Sequence, residues 1–379
     1  MHIAIVRTEF IKRRGGAERY AVELARLWLS QGHQLTVVCH KHDAQDADGM
    51  EVVNVSRPKA LGPFKHGWFA KRAGKAAGEV GADAVLCLAR AYPGDVLRLG
   101  DGLHHMWLEA RYGSEGAVKR AKLNPRHREL LKLEEKLFQP GRFGLYVANS
   151  EMIRDEVIAR FQVDPERIRV IPNGVDWTRF HPGVRDGSIE LRKQHGIPAD
   201  AKLVMFSGMD FRRKGLDNAV GGFIEMAKQR RDAHFVCVGP GYTQNAEAEL
   251  EAAGLRERAH FVGQTDDIAQ WYGAADLFVL PSMHDPSANA VTEALACGTP
   301  VITSRENGAK QHIQGGVNGW VLEDRKDLSE IAWRMNQLIE SPPTPERATD
   351  SAALISKDVN AARLLEALEQ ARGLNRNDQ

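Results

Sequence analysis

An α/β fold of two Rossmann-like domains is what this sequence predicts, and three observations predict it. The chain has 379 residues, enough for two domains of ordinary size. Each half alternates short apolar strand patterns with amphipathic helical patterns. A polar stretch over residues 183–200 then parts the halves. The expected division is a first domain over 1–176, a second over 177–356 and a closing helical segment over 357–379.

Composition narrows the class. Hydrophobic residues at 43% and charged residues at 27% describe a folded globular chain. No apolar run approaches the ~20 residues of a membrane span, and MHIAIVRTEF has no signal-peptide layout. A cytoplasmic location is the expectation. Cys39, Cys87, Cys237 and Cys297 stand singly in apolar stretches, without CxxC or metal-ligand spacing, which predicts buried free thiols and no structural zinc. The net charge of +1 divides into +6 over residues 1–178 and −5 over the remainder. Such asymmetry predicts that the first domain faces something acidic.

In chain order, residues 2–6 form a strand, a loop TEFIKRRGGAERY follows, and a helix over 21–31 precedes a strand over 34–39. Gly15 and Gly16 fall where strand gives way to helix, so their amides can cradle phosphate or sugar oxygens; a tight turn needing glycine explains them equally well. The pair is not G-x-G-x-x-G and no acid is placed for an NAD ribose, which argues against a dinucleotide oxidoreductase. Asp46 and Asp48 lie in HDAQDADG, a solvated turn.

Strands over 84–88 and 96–99 lead to Gly100-Asp101-Gly102-Leu103-His104-His105. Asp101 and His104 thus leave the end of an apolar strand, where open α/β sheets place their ligands. Residues 107–138 mix Lys119, Arg120, Lys122, Arg126 and Arg128 with Trp107, Leu108, Tyr112, Val118, Leu123, Leu130, Leu131 and Phe138. That blend suits an anionic membrane surface, or a helical hairpin packed on its own domain with a solvated basic face. A strand over 145–148 ends in Asn149-Ser150, a helix cap, and a strand over 168–171 runs into IPNGVDWTRFHP.

The second domain opens with a strand over 203–207 and SGMDFRRKGLDNAV, which sets Arg213 and Lys214 at a strand–helix junction. Cations at a helix start are disfavoured unless an anion compensates. Strands over 234–239 and 260–263 and a helix over 266–276 lead to LPSMHDPSANAVTEALACGTPVIT, residues 280–303. It reads as a strand end, a loop, a helix beginning near Ala288, and a new strand after Pro300. Asp285 and Glu293 bracket Ser287, Ala288, Asn289 and Ala290, whose size and helix-start amides suit a diphosphate. A strand over 320–322, a helix over 326–340 broken by a proline-rich stretch at 341–347, and a helix over 361–372 complete the chain.

These motifs resemble the retaining glycosyltransferases of family 4 (group 1), whose GT-B fold sets two Rossmann-like domains facing across a cleft. Asp285 stands at the first acid of their E-x7-E element, and Glu293-Ala294, Ala296, Gly298 and Pro300-Val301 match it. Asp for Glu and Ala288 for the usual Gly are departures in the donor loop. GGAER resembles the family's glycine loop, and IPNGVDWTRFHP resembles I-P-N-G-V-D-x-x-x-F-x-P. Arg213-Lys214-Gly215 looks like the R-K-G ending of lipopolysaccharide inner-core glucosyltransferases.

The resemblance implies transfer of a hexose, with retention, from UDP-glucose or a related UDP-sugar to a hydroxyl of a glycan or glycolipid, in lipopolysaccharide core. It implies that Arg213 and Lys214 stabilise the leaving diphosphate, Asp285 holds the sugar and Glu293 grips the ribose. Ser287, Ala288, Asn289 and Ala290 line the donor; Asp101, then His104, meets the transferred sugar; Gly15 and Gly16 lie opposite. The closing helix is expected to cross back to the first domain. Neither a metal, a cofactor nor nucleic acid is expected; an anionic membrane surface is a further expected partner. A nucleotide-sugar 2-epimerase, which needs acid–base residues not evident here, and a non-catalytic sugar-nucleotide binder are the alternatives.

Overall fold

The computed structural model describes residues 1–353 and 355–377. It divides into two compact units, Met1–Pro172 with the segment from Lys357 onward, and Asn173–Ser356. Residues 378 and 379 of the expected closing segment lie outside the described residues, as does Leu354.

The first unit is built on a parallel sheet of β1 (His2–Val6), β2 (Gln34–Cys39), β3 (Glu51–Asn54), β4 (Ala84–Cys87), β5 (Val96–Leu99), β6 (Leu145–Ala148) and β7 (Ile168–Val170). Their order is β3-β2-β1-β4-β5-β6-β7. Both faces of a parallel sheet are covered, so β1, β4, β5 and β6 are nearly continuous apolar runs. The order reverses between β1 and β4, and at that switch point the carboxyl ends of the strands open a crevice.

Around the sheet lie α1 (Gly16–Ser30), α2 (Lys65–Glu79), α3 (His104–Leu123), α4 (Pro125–Leu137) and α5 (Glu151–Phe161). The helix Lys357–Asn377 buries Ala361, Leu364, Leu368 and Ala371 in one core with Trp28 of α1 and Ile3 and Ile5 of β1. It therefore completes the first unit.

The second unit repeats the plan with β8 (Lys202–Ser207), β9 (Ala233–Val238), β10 (Ala259–Gly263), β11 (Leu277–Leu280), β12 (Val301–Ser304) and β13 (Gly319–Leu322). Their order is β10-β9-β8-β11-β12-β13, again all parallel, with the switch point between β8 and β11.

Several expectations need correction. Helix α1 begins at Gly16 rather than near residue 21, so GGAER belongs to the helix and its first turn. The polar stretch 183–200 is no plain linker: it holds the helix Ser188–Gln194, anchored by buried Leu191. Residues 107–138 expose less apolar surface than their sequence suggests. Leu108, Leu130 and Phe138 are buried, Trp107, Tyr112 and Leu131 are half-buried, and only Val118 and Leu123 of the eight apolar groups stand in solvent. Among the described residues no helix is long and apolar enough to cross a membrane. All four cysteines are free and buried.

Candidate active site

At the switch point of the second unit, β8 ends in Ser207 and a short helix, Phe211–Lys214, follows. The Asp210 side chain accepts from the Arg213 amide at 3.3 Å. Gly215 then reverses the chain at φ +84°, and a Cβ there would lie 2.1 Å from the Pro281 carbonyl oxygen. Only glycine satisfies both demands. Arg213 and Lys214 thus close one short helix instead of opening the next one. The pair also lies just before the start of the helix Leu216–Ala227, where cations are disfavoured, and Asp285 is the anion that compensates.

Across the switch point, β11 runs into the loop carrying Asp285. One of its oxygens, Oδ2, accepts from Lys214 Nζ at 2.6 Å and from Arg213 Nη1 at 2.8 Å. Arg213 Nη1 also reaches the His284 carbonyl at 3.1 Å, and the Met283 amide donates to the Arg213 carbonyl at 2.8 Å. Burial works to raise the Asp285 pKa, but Lys214 and Arg213 outweigh it and hold the carboxyl below its ordinary range. Asp210 Oδ2 lies 3.7 Å from Arg213 Nε, so the two cations face two carboxylates, buried Asp285 and the more exposed Asp210. What the crevice offers an anion is N–H donors already in place.

The helix Asn289–Ala296 starts four residues beyond Asp285. Its approach is set by Asn307, whose Oδ1 accepts from the amides of Ala288 at 3.2 Å and Ala309 at 3.1 Å. The Ala288 N–H is therefore spent on the protein, and Ala288 is itself buried. The expectation that it donates to a diphosphate is corrected: the amides of Asn289 and Ala290 open the helix. Ser287 is half-buried in the same loop. Asn173 Nδ2 donates to Asn289 Oδ1 at 2.6 Å, which ties the IPNG motif to this helix start. Glu293 lies further into the helix, with the Tyr272 hydroxyl 3.5 Å from its Oε2. That hydroxyl also sits 3.0 Å from Ser207 Oγ. Arg213, Lys214, Asp285, Asn289, Ala290 and Glu293 thus occupy one end of one sheet.

At the switch point of the first unit, the buried guanidinium of Arg7 joins two predicted regions. It bonds Asp101 Oδ2 at 3.0 Å, Glu18 Oε1 at 2.8 Å and the Leu88 carbonyl at 2.5 Å. Glu18 lies in the first turn of α1, so Arg7 ties the glycine loop to the Asp101 loop. Neither Gly15 nor Gly16 has a left-handed backbone, so the tight-turn explanation fails. A Cβ on Gly16 would meet no protein atom within 4 Å.

Asp101 is exposed at the rim. Desolvation works upward on its pKa, and Arg7 and Arg90 outweigh it, so the group stays ionised as a hydrogen-bond acceptor. His104 opens α3 with its Nε2 3.1 Å from His127 Nδ1. Burial and Arg90 push His104 down to about 4, which makes it neutral at pH 7.

Sequence reasoning missed the supports. Glu134 of α4 is buried and accepts from the His104 and His105 amides. It also faces His105 Nδ1 at 3.1 Å, while Glu156 takes His105 Nε2 at 2.6 Å. Arg90 Nη2 holds the Gly102 carbonyl at 3.1 Å and Asn149 Nδ2 the Gly100 carbonyl at 3.2 Å. Arg7 left one legible signal, a charged residue immediately after an apolar strand. Glu134 left none, because it lies in LEEK among exposed charges. Among the described residues no three of His, Cys, Asp and Glu converge as a metal site.

A family model described as Glycosyltransferase Family 4 matches residues 14–179, and one described as Glycosyl transferases group 1 matches residues 188–354. This chain belongs to the family 4, group 1 glycosyltransferases. A D-inositol 3-phosphate glycosyltransferase of Corynebacterium kroppenstedtii is 30% identical over 239 residues, 59% of this chain and 53% of that protein. The lipopolysaccharide glucosyltransferase WaaG of Escherichia coli is 27% identical over 219 residues, 55% of this chain and 58% of that protein. The chain thus aligns with little more than half the length of these curated relatives.

Solved structures agree on the fold over nearly the whole chain. A crystal structure of WaaG, involved in lipopolysaccharide biosynthesis, matches with a TM-score of 0.76 at 22% identity, covering 96% of this chain and 98% of that one. HepE of Anabaena, solved with UDP and glucose, matches with a TM-score of 0.70 at 20% identity, covering 97% and 99%. At such identities the likeness carries the fold, which is GT-B.

Proposed function

We propose that this glycosyltransferase moves a hexose from UDP-glucose or a related UDP-sugar to a hydroxyl of a glycan or glycolipid acceptor, with lipopolysaccharide core as the acceptor class. The observation that carries the proposal is the Arg213–Lys214–Asp285 cluster beside the helix start at Asn289. It brings two cations, one carboxylate and helix amides to one switch point, with Glu293 on the same helix.

On this reading the anomeric C–O bond breaks and its electron pair stays on the diphosphate oxygen. Lys214, Arg213 and the amides of Asn289 and Ala290 stabilise that growing negative charge, without a metal. Asp285, kept ionised, holds sugar hydroxyls and opposes the positive charge that develops on the ring. Glu293 grips the ribose. The acceptor oxygen bonds to the anomeric carbon from the leaving-group face, its proton passes to the diphosphate, and configuration is retained. Asp101 accepts a hydrogen bond from the transferred sugar and His104, as a neutral imidazole, adds another contact. The basic balance of the first unit draws the enzyme to an anionic membrane surface on the cytoplasmic side.

The test is proton NMR of the product formed from UDP-glucose in the presence of EDTA. An α-linked glucoside from the α-configured donor supports both retention and metal independence. An inverted product, or activity abolished by EDTA and restored by Mg²⁺, refutes the corresponding part. UDP-sugar binding with no transfer to any acceptor would leave a non-catalytic binder.

A further inference from the structure

Among the described residues, the large apolar side chains that the first unit leaves in solvent are Phe64, Trp68, Val118 and Leu123. Phe64 is 60% exposed and Trp68 42%. Phe64 ends the 3-10 turn Lys59–Phe64, and Trp68 lies in the first turn of α2. Phe64 already has helical φ and ψ, so it shares one stripe with Trp68 four residues on and Arg72 four further. The Arg72 guanidinium lies over the Trp68 ring, 5.1 Å from its centroid. Phe69, Ala70, Ala73, Gly74 and Ala77 are the residues that α2 buries, so its packing on the sheet does not use the two outer rings. Aromatic groups gathered in solvent in this way mark a docking surface.

The charge around them says what docks. Between Val55 and Glu79 the chain has six cations, Arg57, Lys59, Lys65, Lys71, Arg72 and Lys75, and no acid. Lys59, Lys71, Arg72 and Lys75 are exposed. Among the described residues only Lys75 of the six has a carboxylate within 4.0 Å, Glu79 at 3.5 Å. Glu129 of α4 is the other acid nearby, close enough to Gly67 that a Cβ there would collide with it. A second copy of this surface, seated by two-fold symmetry, would set six cations against six more. An anionic bilayer has the complementary charge.

The position fits as well. Helix α2 leaves β3 and returns the chain to β4, which is parallel to the rest of the sheet. Its first turn therefore lies at the carboxyl edge of the strands, the edge that carries the Asp101 loop. Residues 59–64 and α2 lie against α4, whose Glu134 accepts from the His104 and His105 amides. Leu123 stands just before the start of α4.

We propose that Phe64 and Trp68 are the anchors by which the first unit enters the interface of an anionic bilayer, with Lys59, Lys65, Lys71 and Arg72 against its headgroups. The inference deepens the membrane reading of the proposed function and rests on it for the partner. It moves the anchor from residues 107–138, most of whose apolar groups are covered, to the start of α2. Aromatic rings settle at headgroup depth, and the surrounding cations add an attraction that salt weakens. A hydroxyl projecting from a glycolipid in that bilayer is then offered to the Asp101 loop.

The full chain is mixed at low ionic strength with phosphatidylglycerol–phosphatidylcholine vesicles and with phosphatidylcholine alone. Binding is read by co-sedimentation and by quenching of tryptophan fluorescence with brominated lipid. The expected result is binding to the anionic vesicles, with quenching that falls sharply in Trp68→Phe while most of the binding remains. Phe64→Ser/Trp68→Ser binds at least about tenfold more weakly, and Lys59→Gln/Lys71→Gln/Arg72→Gln lessens the salt dependence. Unchanged UDP binding certifies folding in each variant. Full binding by Phe64→Ser/Trp68→Ser, or undiminished quenching in Trp68→Phe, overturns the anchor. Equal binding to phosphatidylcholine alone overturns the anionic assignment. A concentration-dependent dimer dispersed by Phe64→Ser/Trp68→Ser, with vesicle binding unaffected, assigns the surface to a second copy and overturns the proposal. UDP release is followed separately: vesicle binding without any transfer would sink the transferase reading alone, and transfer without vesicle binding would sink the membrane anchor alone.

Discussion

Lys214 Nζ lies 2.6 Å from Asp285 Oδ2, and the two side chains are only 11% and 8% exposed. Such a pair loses most of its hydration, and its attraction repays that loss only when geometry is good. Its value here lies in placement. The pair fixes a lysine ammonium at the crevice between β8 and β11, with Arg213 on the same carboxylate oxygen. On the proposed reading, a diphosphate arriving there meets donors already in position.

Gly215 is the backbone condition for that placement. Gly215→Ala would strain a left-handed residue and drive a Cβ into the Pro281 carbonyl. A cost of at least about 1–3 kcal/mol in stability is expected, together with lost turnover as Arg213 and Lys214 move. Urea denaturation and initial rates check both. An unaltered variant would show that the turn is not limiting.

Asp285 contributes to stability in a defined pH window. Its folded pKa is depressed, so the contribution is complete above the unfolded value of about 3.9 and disappears as pH falls through the folded one. The difference in unfolding free energy between wild type and Asp285→Asn should be constant from neutral pH to about pH 4 and shrink below it. A difference that grows on acidification would contradict the assigned charge state.

His105 runs the other way. Burial lowers its pKa, but Glu134 and Glu156 raise it above the ordinary imidazole value. Its contribution is therefore complete below about pH 6.5 and lost as pH rises through the folded value. Glu134→Ala should cost about 3–5 kcal/mol, as expected for removing one partner of a buried pair. Glu134→Gln should flatten the decline of stability above about pH 6.5. Thermal unfolding across that range gives the answer.

Membrane attraction is a salt-dependent matter. Lys119, Arg120 and Lys122 are all exposed, and each should contribute about 1 kcal/mol near an anionic bilayer at low ionic strength. Replacing the three with Gln should weaken vesicle binding while UDP binding is unchanged. Wild-type protein that ignores anionic vesicles at low salt would end the peripheral-membrane proposal.

The fold was legible because parallel strands are buried on both faces, so runs such as AVLC before Leu88 and LFVL before Pro281 stand out without any periodicity. Much of the candidate site was legible too, because Arg213, Lys214, Asp285 and Glu293 sit at fixed offsets from strand ends. What escaped was the wiring between elements. Asn307 takes the Ala288 amide from nineteen residues away, and Glu134 caps α3 from the next helix. No local spacing encodes such partners, and their side chains look like ordinary surface polarity. The apolar residues of 107–138 misled for a related reason: helical packing hid most of them, and only tertiary contacts decide which face is covered.

The most direct test of the central claim is steady-state UDP formation from UDP-glucose and acceptor by wild type, Lys214→Ala and Glu293→Ala. Lys214 interacts more strongly as the leaving diphosphate gains charge, so its loss should appear mainly in kcat, by about 2–4 kcal/mol or roughly 10²–10³-fold. Glu293→Ala should lose transfer through weakened donor binding and appear chiefly in KM. Near-normal kcat in Lys214→Ala would contradict the account of the donor site.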